Sequence, residues 1–358
     1  MIERVLAGVE VCVCAGSGGV GKTSTAAAIG LGMAARGAKV AVLTIDPARR
    51  LANALGLPEL GNEERRVEVE AQGELWAMML DAKQTFDELV ELHAPDEATR
   101  DAVLGNRIYQ ELSRALAGSQ EYMAMEKLYE LHSEGRYDLL VLDTPPTRSA
   151  LDFLDAPRDL AAFIDSRAFR VLTAPTRFGL RAFGRGTGVA LSALERATGL
   201  RLLEDLSEFF RSFGSMSAGF RERAKAVNRL LAGGRTSFVL VTAPRADSID
   251  EAIHFRGRLV EAGMPFGGVV VNRVHSVEAD ADARELAVPL GEELARRVAD
   301  DLADQRKLAE RDRRSIEVLR GRLGSKPMVE VPELTRDVHD LDGLRELERH
   351  LFAAASPQ

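Results

Sequence analysis

The 358-residue sequence lacks several features that mark secreted, membrane-spanning and nucleic-acid-coating proteins. It contains no run of eighteen or more apolar residues, the length that a transmembrane helix needs, and its N-terminus shows no charged stretch followed by an apolar leader. Its net charge of −8 argues against a generally basic surface and against nucleic acid as a partner. We therefore expect a cytoplasmic protein.

Cysteine is also scarce, and the histidines do not cluster. The two cysteines, Cys12 and Cys14, lie two residues apart on a predicted strand, so both face the same side of a sheet. Such a pair can bind a soft metal, but small buried apolar side chains are the interpretation that we favour. The six histidines show no helical pairing at i and i+4, and we expect no zinc.

Short apolar, β-branched runs alternate along the chain with helical patterns, which is typical of a parallel sheet covered by helices on both faces. One helix is predicted over Thr23–Arg36, with Gly37 as its C-cap. In another, aliphatic residues recur every four positions from Leu290 to Leu302, and this helix would lie on the sheet. The fold class is therefore α/β, with a doubly wound, mostly parallel sheet. The predicted strands are Val9–Cys14, Lys39–Ile45, Leu75–Leu80, Tyr137–Leu142, Ser237–Thr242, Gly267–Val271 and Met328–Val331.

Two long intervals without predicted strands, residues 82–136 and 147–235, have helical patterns. Both follow strands at the edge of the sheet where functional loops lie, so we predict that together they form one inserted helical subdomain. The α/β domain would then comprise residues 1–81, 137–146 and 236–358.

The segment GSGGVGKT at residues 16–23 matches the phosphate-loop pattern G-x-x-x-x-G-K-[ST], and it follows a strand and opens a helix. Its backbone N–H groups and the helix N-terminus would bind nucleotide phosphates. Lys22 would reach the β- and γ-phosphates, and the Thr23 hydroxyl would bind Mg²⁺. This places the sheet in the P-loop NTPase class. The nucleotide-binding residues predicted here are Gly16, Ser17, Gly18, Gly19, Val20, Gly21, Lys22, Thr23 and Ser24.

Two aspartates end predicted strands beside this loop. Asp143 would hold the Mg²⁺ shell, directly or through water, although an aspartate can also simply end a strand in a turn. Asp46 would act with Lys22 in catalysis by orienting a water for attack on the γ-phosphate. Asp46 could also be the N-cap of a helix that begins at Pro47, and the two roles are compatible.

The loop, the DPA segment at 46–48 and the DTPPT segment at 143–147 together resemble the arsenite-pump and tail-anchored-protein-targeting ATPases, relatives of the MinD-like and ParA-like ATPases. The resemblance implies an Mg²⁺-dependent ATP hydrolase that works as a homodimer closing around two ATP molecules. Hydrolysis would open and close a composite helical groove. The resemblance also implies that Asn272 reads adenine and that Pro332 lies in the loop against the base; alternatively, Asn272 is only a polar residue at a strand end.

The chain departs from this family's pattern at three places. Ser17 stands where the family usually has a lysine that reaches across the dimer, and Arg49, Arg50 or Arg148 could supply the missing charge or could be solvated surface residues. No cysteine pair follows Asn272, so a zinc clasp is not expected. Because the only thiols lie on the strand that leads to the loop, we also expect no metalloid substrate.

The helical intervals suggest partners but leave the alternatives open. Phe209, Phe210, Phe213, Met216 and Phe220 recur at helical spacing and could bind a hydrophobic protein segment, or could be ordinary core. Five arginines and no acidic residue lie between residues 166 and 194, a pattern suited to a membrane-associated or acidic partner, or to a solvated lid. Two further functions remain open: a MinD/ParA-like positioning ATPase on membrane or DNA, and a nucleotide-binding chaperone that has lost turnover.

Overall fold

The computed structural model describes residues 2–46, 48–115, 119–145, 155–158, 161–162, 164–167, 202–277 and 291–353. Arg148, most of the arginine-rich segment at 166–194, Leu290 and the last five residues lie outside this part of the chain. Among the described residues, no helix combines the length and the apolar character needed to span a bilayer.

Eight strands of the described chain form one sheet in the order β3-β4-β2-β5-β1-β6-β7-β8. All neighbouring strands pair in parallel except β3 and β4. The doubly wound, mostly parallel fold predicted from the sequence is confirmed. The strands are β1 Val11–Gly16, β2 Lys39–Thr44, β3 Arg65–Val67, β4 Glu74–Met79, β5 Leu139–Asp143, β6 Thr236–Thr242, β7 Phe266–Val274 and β8 Met328–Pro332.

The antiparallel edge strand β3 was not predicted. It has three residues, and its two arginines, Arg65 and Arg66, are exposed, so it carries almost none of the apolar signal by which the other strands can be recognised.

The helices of the described chain are α1 Ile2–Leu6, α2 Lys22–Ala35, α3 Arg50–Ala54, α4 Ala82–His93, α5 Glu97–Leu104, α6 Arg107–Ala115, α7 Ser119–Glu134, α8 Leu202–Leu231, α9 Ala246–Ala262, α10 Glu292–Leu323 and α11 Leu341–Phe352.

The centre of the sheet is covered on both faces. Cys12 and Cys14 are fully buried in a cluster with alanines of α2 and leucines of α11, so their predicted role as small core residues is confirmed. The helix α2 connects β1 to β2, which lies on one side of β1 in the sheet. The helix α9 connects β6 to β7, which runs along the sheet in the opposite direction. Connections of this kind are right-handed in nearly all proteins, so we infer that α9 covers the opposite face. The helix α2 ends at Ala35 with Arg36 as its C-cap, so Gly37, at φ 95°, lies one position beyond the predicted cap.

One predicted packing face is wrong. Leu294 was expected to lie on the sheet, but its side chain is 49% exposed. The buried apolar residues in the second half of α10 are Ile316, Leu319 and Leu323. A 32-residue helix is about 48 Å long, longer than any strand of this sheet, so only part of it can lie on the sheet.

The chain divides into two compact units. The first contains residues 1–79, 134–151 and 232–358, and the second contains residues 80–133 and 152–231. Within the second unit, Phe209, Phe213, Met216 and Phe220 of α8 are buried. Phe220 lies against Phe86, at 6.0 Å between ring centroids. Core packing therefore accounts for these four residues.

Candidate nucleotide-binding site

The predicted phosphate loop forms a tight turn between β1 and α2. Gly16 has φ 154°, and a Cβ there would lie 1.9 Å from the Val241 carbonyl oxygen of β6. Gly21 has φ 91°, and a Cβ there would lie 2.4 Å from Asn272 Nδ2. Both positions therefore require glycine, because any side chain would collide as well as strain the backbone. Val20 anchors the turn by packing with Val241 and Ala243.

Lys22 is nearly buried, and its Nζ donates to the Ser17 carbonyl oxygen at 2.7 Å. Burial lowers the pKa of the Lys22 ammonium, and the nearby Asp143 carboxylate opposes that change. The amine is thus held within the loop by a main-chain acceptor, at the place where an incoming phosphate oxygen would compete for it.

Ser17 is also buried, and its hydroxyl donates to the Glu251 carboxylate of α9. The position that the resemblance associates with a lysine therefore holds a neutral side chain bonded to an acid. No pattern in the sequence indicates Glu251, which lies 234 positions from Ser17.

Asp143, at the end of β5, is 1% exposed and accepts two hydroxyl hydrogen bonds at one carboxylate oxygen. Thr23 Oγ1 donates to Oδ2 at 2.7 Å, and Thr44 Oγ1 donates to the same atom at 2.9 Å. Within the described part of the chain, Oδ1 is buried and has no hydrogen-bond partner. Burial raises the pKa of the Asp143 carboxyl to about 6, although the two hydroxyls and Lys22 act to lower it.

Asp46 lies just beyond β2 and has partners at both oxygens. Oδ1 accepts the Ala48 N–H at 2.9 Å, and Oδ2 lies 3.7 Å from the Arg50 guanidinium. The alternative that Asp46 caps a helix beginning at Pro47 is wrong: α3 begins at Arg50, and its N-cap is Arg49. Arg49 has a left-handed backbone with φ 55°, and this turn delays the start of the helix.

One cavity of about 550 Å³ connects these residues with the ends of β7 and β8. Asn272 reaches it from β7, and its Nδ2 donates to the Val20 carbonyl oxygen of the loop at 2.9 Å. Arg273, with φ 62°, lines the cavity and faces Asp337 at 3.8 Å. The lining residues are Gly18, Gly19, Gly21, Lys22, Thr23, Ser24, Asp46, Arg50, Asn53, Thr144, Pro145, Asn272, Arg273, Glu333, Leu334, Arg336, Asp337, Val338, His339 and Leu347.

The cavity brings together most of the residues predicted from the sequence, but not all of them. Gly16, Ser17 and Val20 shape the loop without lining the cavity, and Asp143 contacts the lining residue Thr23. Pro332 ends β8, and the loop after it, residues 333–339, supplies the lining instead. Thr44 was missed, although its position at a strand end two residues before Asp46 could have indicated it. Among the described residues, no group of three or more His, Cys, Asp or Glu could hold a metal ion.

A sequence model of anion-transporting ATPases, the ArsA ATPase family, matches residues 9–287. The chain belongs to this family. The match covers the phosphate loop, Asp46, Asp143 and Asn272, whereas Pro332 and the loop 333–339 lie beyond it.

Two relatives of the family carry the description arsenical pump-driving ATPase. The one from Halobacterium salinarum is 31% identical over 158 residues, which are 41% of this chain and 23% of the relative. The one from Aquifex aeolicus is 24% identical over 244 residues, which are 66% of this chain and 56% of the relative. The matched parts of this chain thus span about a quarter and about half the length of these relatives.

Proposed function

We propose that this chain binds ATP with Mg²⁺, hydrolyses it, and acts as a nucleotide-driven dimeric switch. The observation that carries the proposal is the arrangement at Asp143. A buried carboxylate holds the hydroxyl of Thr23 beside the phosphate loop and keeps one oxygen without a hydrogen-bond partner among the described residues. Such an oxygen is costly to bury, and a ligand would offset that cost.

The phosphate loop would bind the triphosphate through main-chain N–H groups and through Lys22. The Lys22 ammonium donates to a main-chain carbonyl, the Ser17 oxygen, at 2.7 Å. A phosphate oxygen offers a charged acceptor and a stronger hydrogen bond than a carbonyl does. We therefore expect Lys22 to exchange this internal partner for the β- and γ-phosphates.

The donor set beside the loop fits Mg²⁺, which prefers oxygen ligands and retains several waters. Thr23 would hold the ion through its hydroxyl, and Asp143 would hold it directly or through water. When bound, the ion neutralises charge on the phosphates. Thr44 contributes by fixing the carboxylate from the other side, at 2.9 Å.

Asp46 would position the attacking water. Its carboxylate lines the same cavity as Lys22 but now binds the Ala48 N–H and faces Arg50. To act on water it must give up one of these partners. The Arg50 contact is the weaker of the two, because it is 3.7 Å long and the Arg50 side chain is 65% exposed.

The base of the nucleotide would lie towards β7 and β8. The strand order places β8 three strands from β1, roughly 14 Å at the usual strand spacing. A nucleotide with its phosphates in the loop would reach that distance. Because Asn272 Nδ2 donates to Val20, its Oδ1 is left to accept from the adenine amino group. Pro332 would contribute by placing the loop that follows it.

The dimer would need a positive charge that one subunit offers to the phosphates of the other. Ser17 has no charge to offer a second subunit, so a cross-dimer cation would come from Arg49, Arg50 or Arg148. Such cations contribute about 10³–10⁵ in rate, and an alanine at the responsible arginine should lower kcat by a factor of that order. If none of the three alanine variants changes kcat, no arginine of this set has that role.

The helical unit would bind the partner, which we propose is a hydrophobic protein segment or a membrane-associated protein.

A second candidate is a nucleotide-binding protein with little or no turnover. The hydrogen bond of Ser17 to Glu251 favours it, because it places an acid where the family usually has a lysine. The two candidates predict the same ATP binding and differ only in kcat.

The deciding experiment is a steady-state ATPase assay combined with ATP binding, on the full chain and on Lys22→Ala. Lys225→Ala, an exposed lysine of α8, is the matched control. The switch requires Mg²⁺-dependent hydrolysis that falls at least about 100-fold in Lys22→Ala and is unchanged in the control. Binding without hydrolysis would support the second candidate, and no ATP binding by the unmodified chain would refute both.

A further inference from the structure

His275 follows β7, and both of its ring nitrogens contact carboxylates. Nδ1 lies 2.7 Å from Asp312 Oδ2, and Nε2 lies 2.9 Å from Glu333 Oε2. The ring therefore bridges an acidic residue of α10 and the residue that follows β8.

Asp312 holds this histidine in one orientation. Its carboxylate on α10 is fully buried, and Oδ2 also accepts the backbone N–H of His275 at 3.0 Å. Oδ1 accepts from Arg311 Nε at 3.1 Å and from Arg311 Nη2 at 2.9 Å. Loss of these donors would leave a buried carboxylate without partners, which is energetically costly. The carboxylate therefore fixes the ring of His275 relative to its main chain.

Glu333 connects the histidine with the cavity. It is the first residue after β8, it lines the cavity, and its backbone N–H donates to the Val274 carbonyl oxygen at 3.0 Å. The start of the loop 333–339 is therefore tied to β7 twice, once through the main chain and once through His275. The rest of that loop forms one wall of the cavity.

We infer that His275 is a positioning residue for nucleotide binding: it ties the cavity wall at 333–339 to Asp312 of α10. The inference rests on the proposed function, since it assumes that this wall contacts the nucleoside and not the phosphates. Neither His275 nor Asp312 lines the cavity, so the effect of His275 is exerted through Glu333.

The test compares two ligands, ATP and inorganic tripolyphosphate, which lacks the nucleoside. Dissociation constants are measured for the full chain, for His275→Ala and for His254→Ala, an exposed histidine of α9 that serves as the control. We expect His275→Ala to raise the Kd for ATP about tenfold and to leave the Kd for tripolyphosphate within about twofold. At saturating ATP, kcat should also stay within about twofold, so the loss appears in KM.

Equal changes for the two ligands, or no change for ATP, would overturn the inference, because general damage to the fold weakens both. If His275→Ala does not fold, His275→Gln replaces it; this variant keeps an amide donor but loses the ring that contacts both carboxylates, and it must show a loss of the same sign for ATP alone. An unmodified chain that binds tripolyphosphate and ATP equally would refute the base contact itself. An unmodified chain that binds neither would refute the proposed function, which is a separate result.

Discussion

The two ends of the nucleotide cavity are built in different ways. At the phosphate end, adjacent residues of one loop and one helix supply the contacts, and glycines at 16 and 21 let the main chain itself form the binding surface. At the β7–β8 end, side chains from three separate segments meet: Asn272 from β7, the loop 333–339 and, behind them, Asp312 of α10. A main-chain site depends on local geometry, whereas a side-chain site depends on how distant segments pack. The phosphate end should therefore tolerate few substitutions, and the other end should lose affinity in smaller steps.

Replacing Asp143 with Asn should have a large effect on catalysis and an opposite effect on stability. The amide keeps the size of the side chain but cannot replace the charge beside Mg²⁺, so kcat should fall at least about 100-fold in the ATPase assay. Asp304→Asn, on the exposed face of α10, is the matched control.

The same variant should unfold at a higher temperature in the absence of nucleotide. Burial raises the pKa of Asp143 from 3.8 to about 6, so the folded state binds this proton more tightly than the unfolded chain and its stability falls as pH rises from about 4 to 6. The gain of Asp143→Asn should appear across that window and stay constant above it, at about 3 kcal/mol or less. A gain that is as large at pH 3 as at pH 8 would contradict this cause.

Replacing Asn272 with Ala should have an intermediate effect, confined to nucleotides. The change removes the proposed acceptor for the adenine amino group and the hydrogen bond to Val20, so the Kd for ATP should rise about tenfold. Tripolyphosphate should bind as before, since the phosphate loop is intact. A comparable loss for both ligands in a titration would mean that Asn272 supports the loop and does not read the base.

Replacing Ser17 with Ala should have the smallest effect. Its hydroxyl makes one hydrogen bond, to Glu251, and carries no charge that could stabilise the transferred phosphoryl group. We expect kcat to change less than about tenfold. A larger loss, measured against the control Ser215→Ala at an exposed position of α8, would assign Ser17 a direct part in turnover.

The strongly patterned parts of the molecule were predictable because their signals are local. The phosphate loop is contiguous, and most strands of the sheet are apolar runs that a parallel sheet buries on both faces. The edge strand β3 and the packing face of α10 were not predictable, since their placement depends on neighbours and not on their own periodicity. The helical spacing of the aromatic residues of α8 fits a hydrophobic binding surface and an ordinary core equally well. Only the burial of these residues in the second unit decides for core packing.

The sequence by itself determined the fold class, the family and the residues at the phosphate end, because glycine, lysine and hydroxyl positions there act within a few residues of one another. The tertiary structure decided which distant side chains join them. It brought Thr44 to Asp143, Glu251 to Ser17, and Asp312 to His275, across separations that no pattern in the chain records. These pairings follow from which strand ends and helices the sheet order places side by side, and that order is a property of the whole fold.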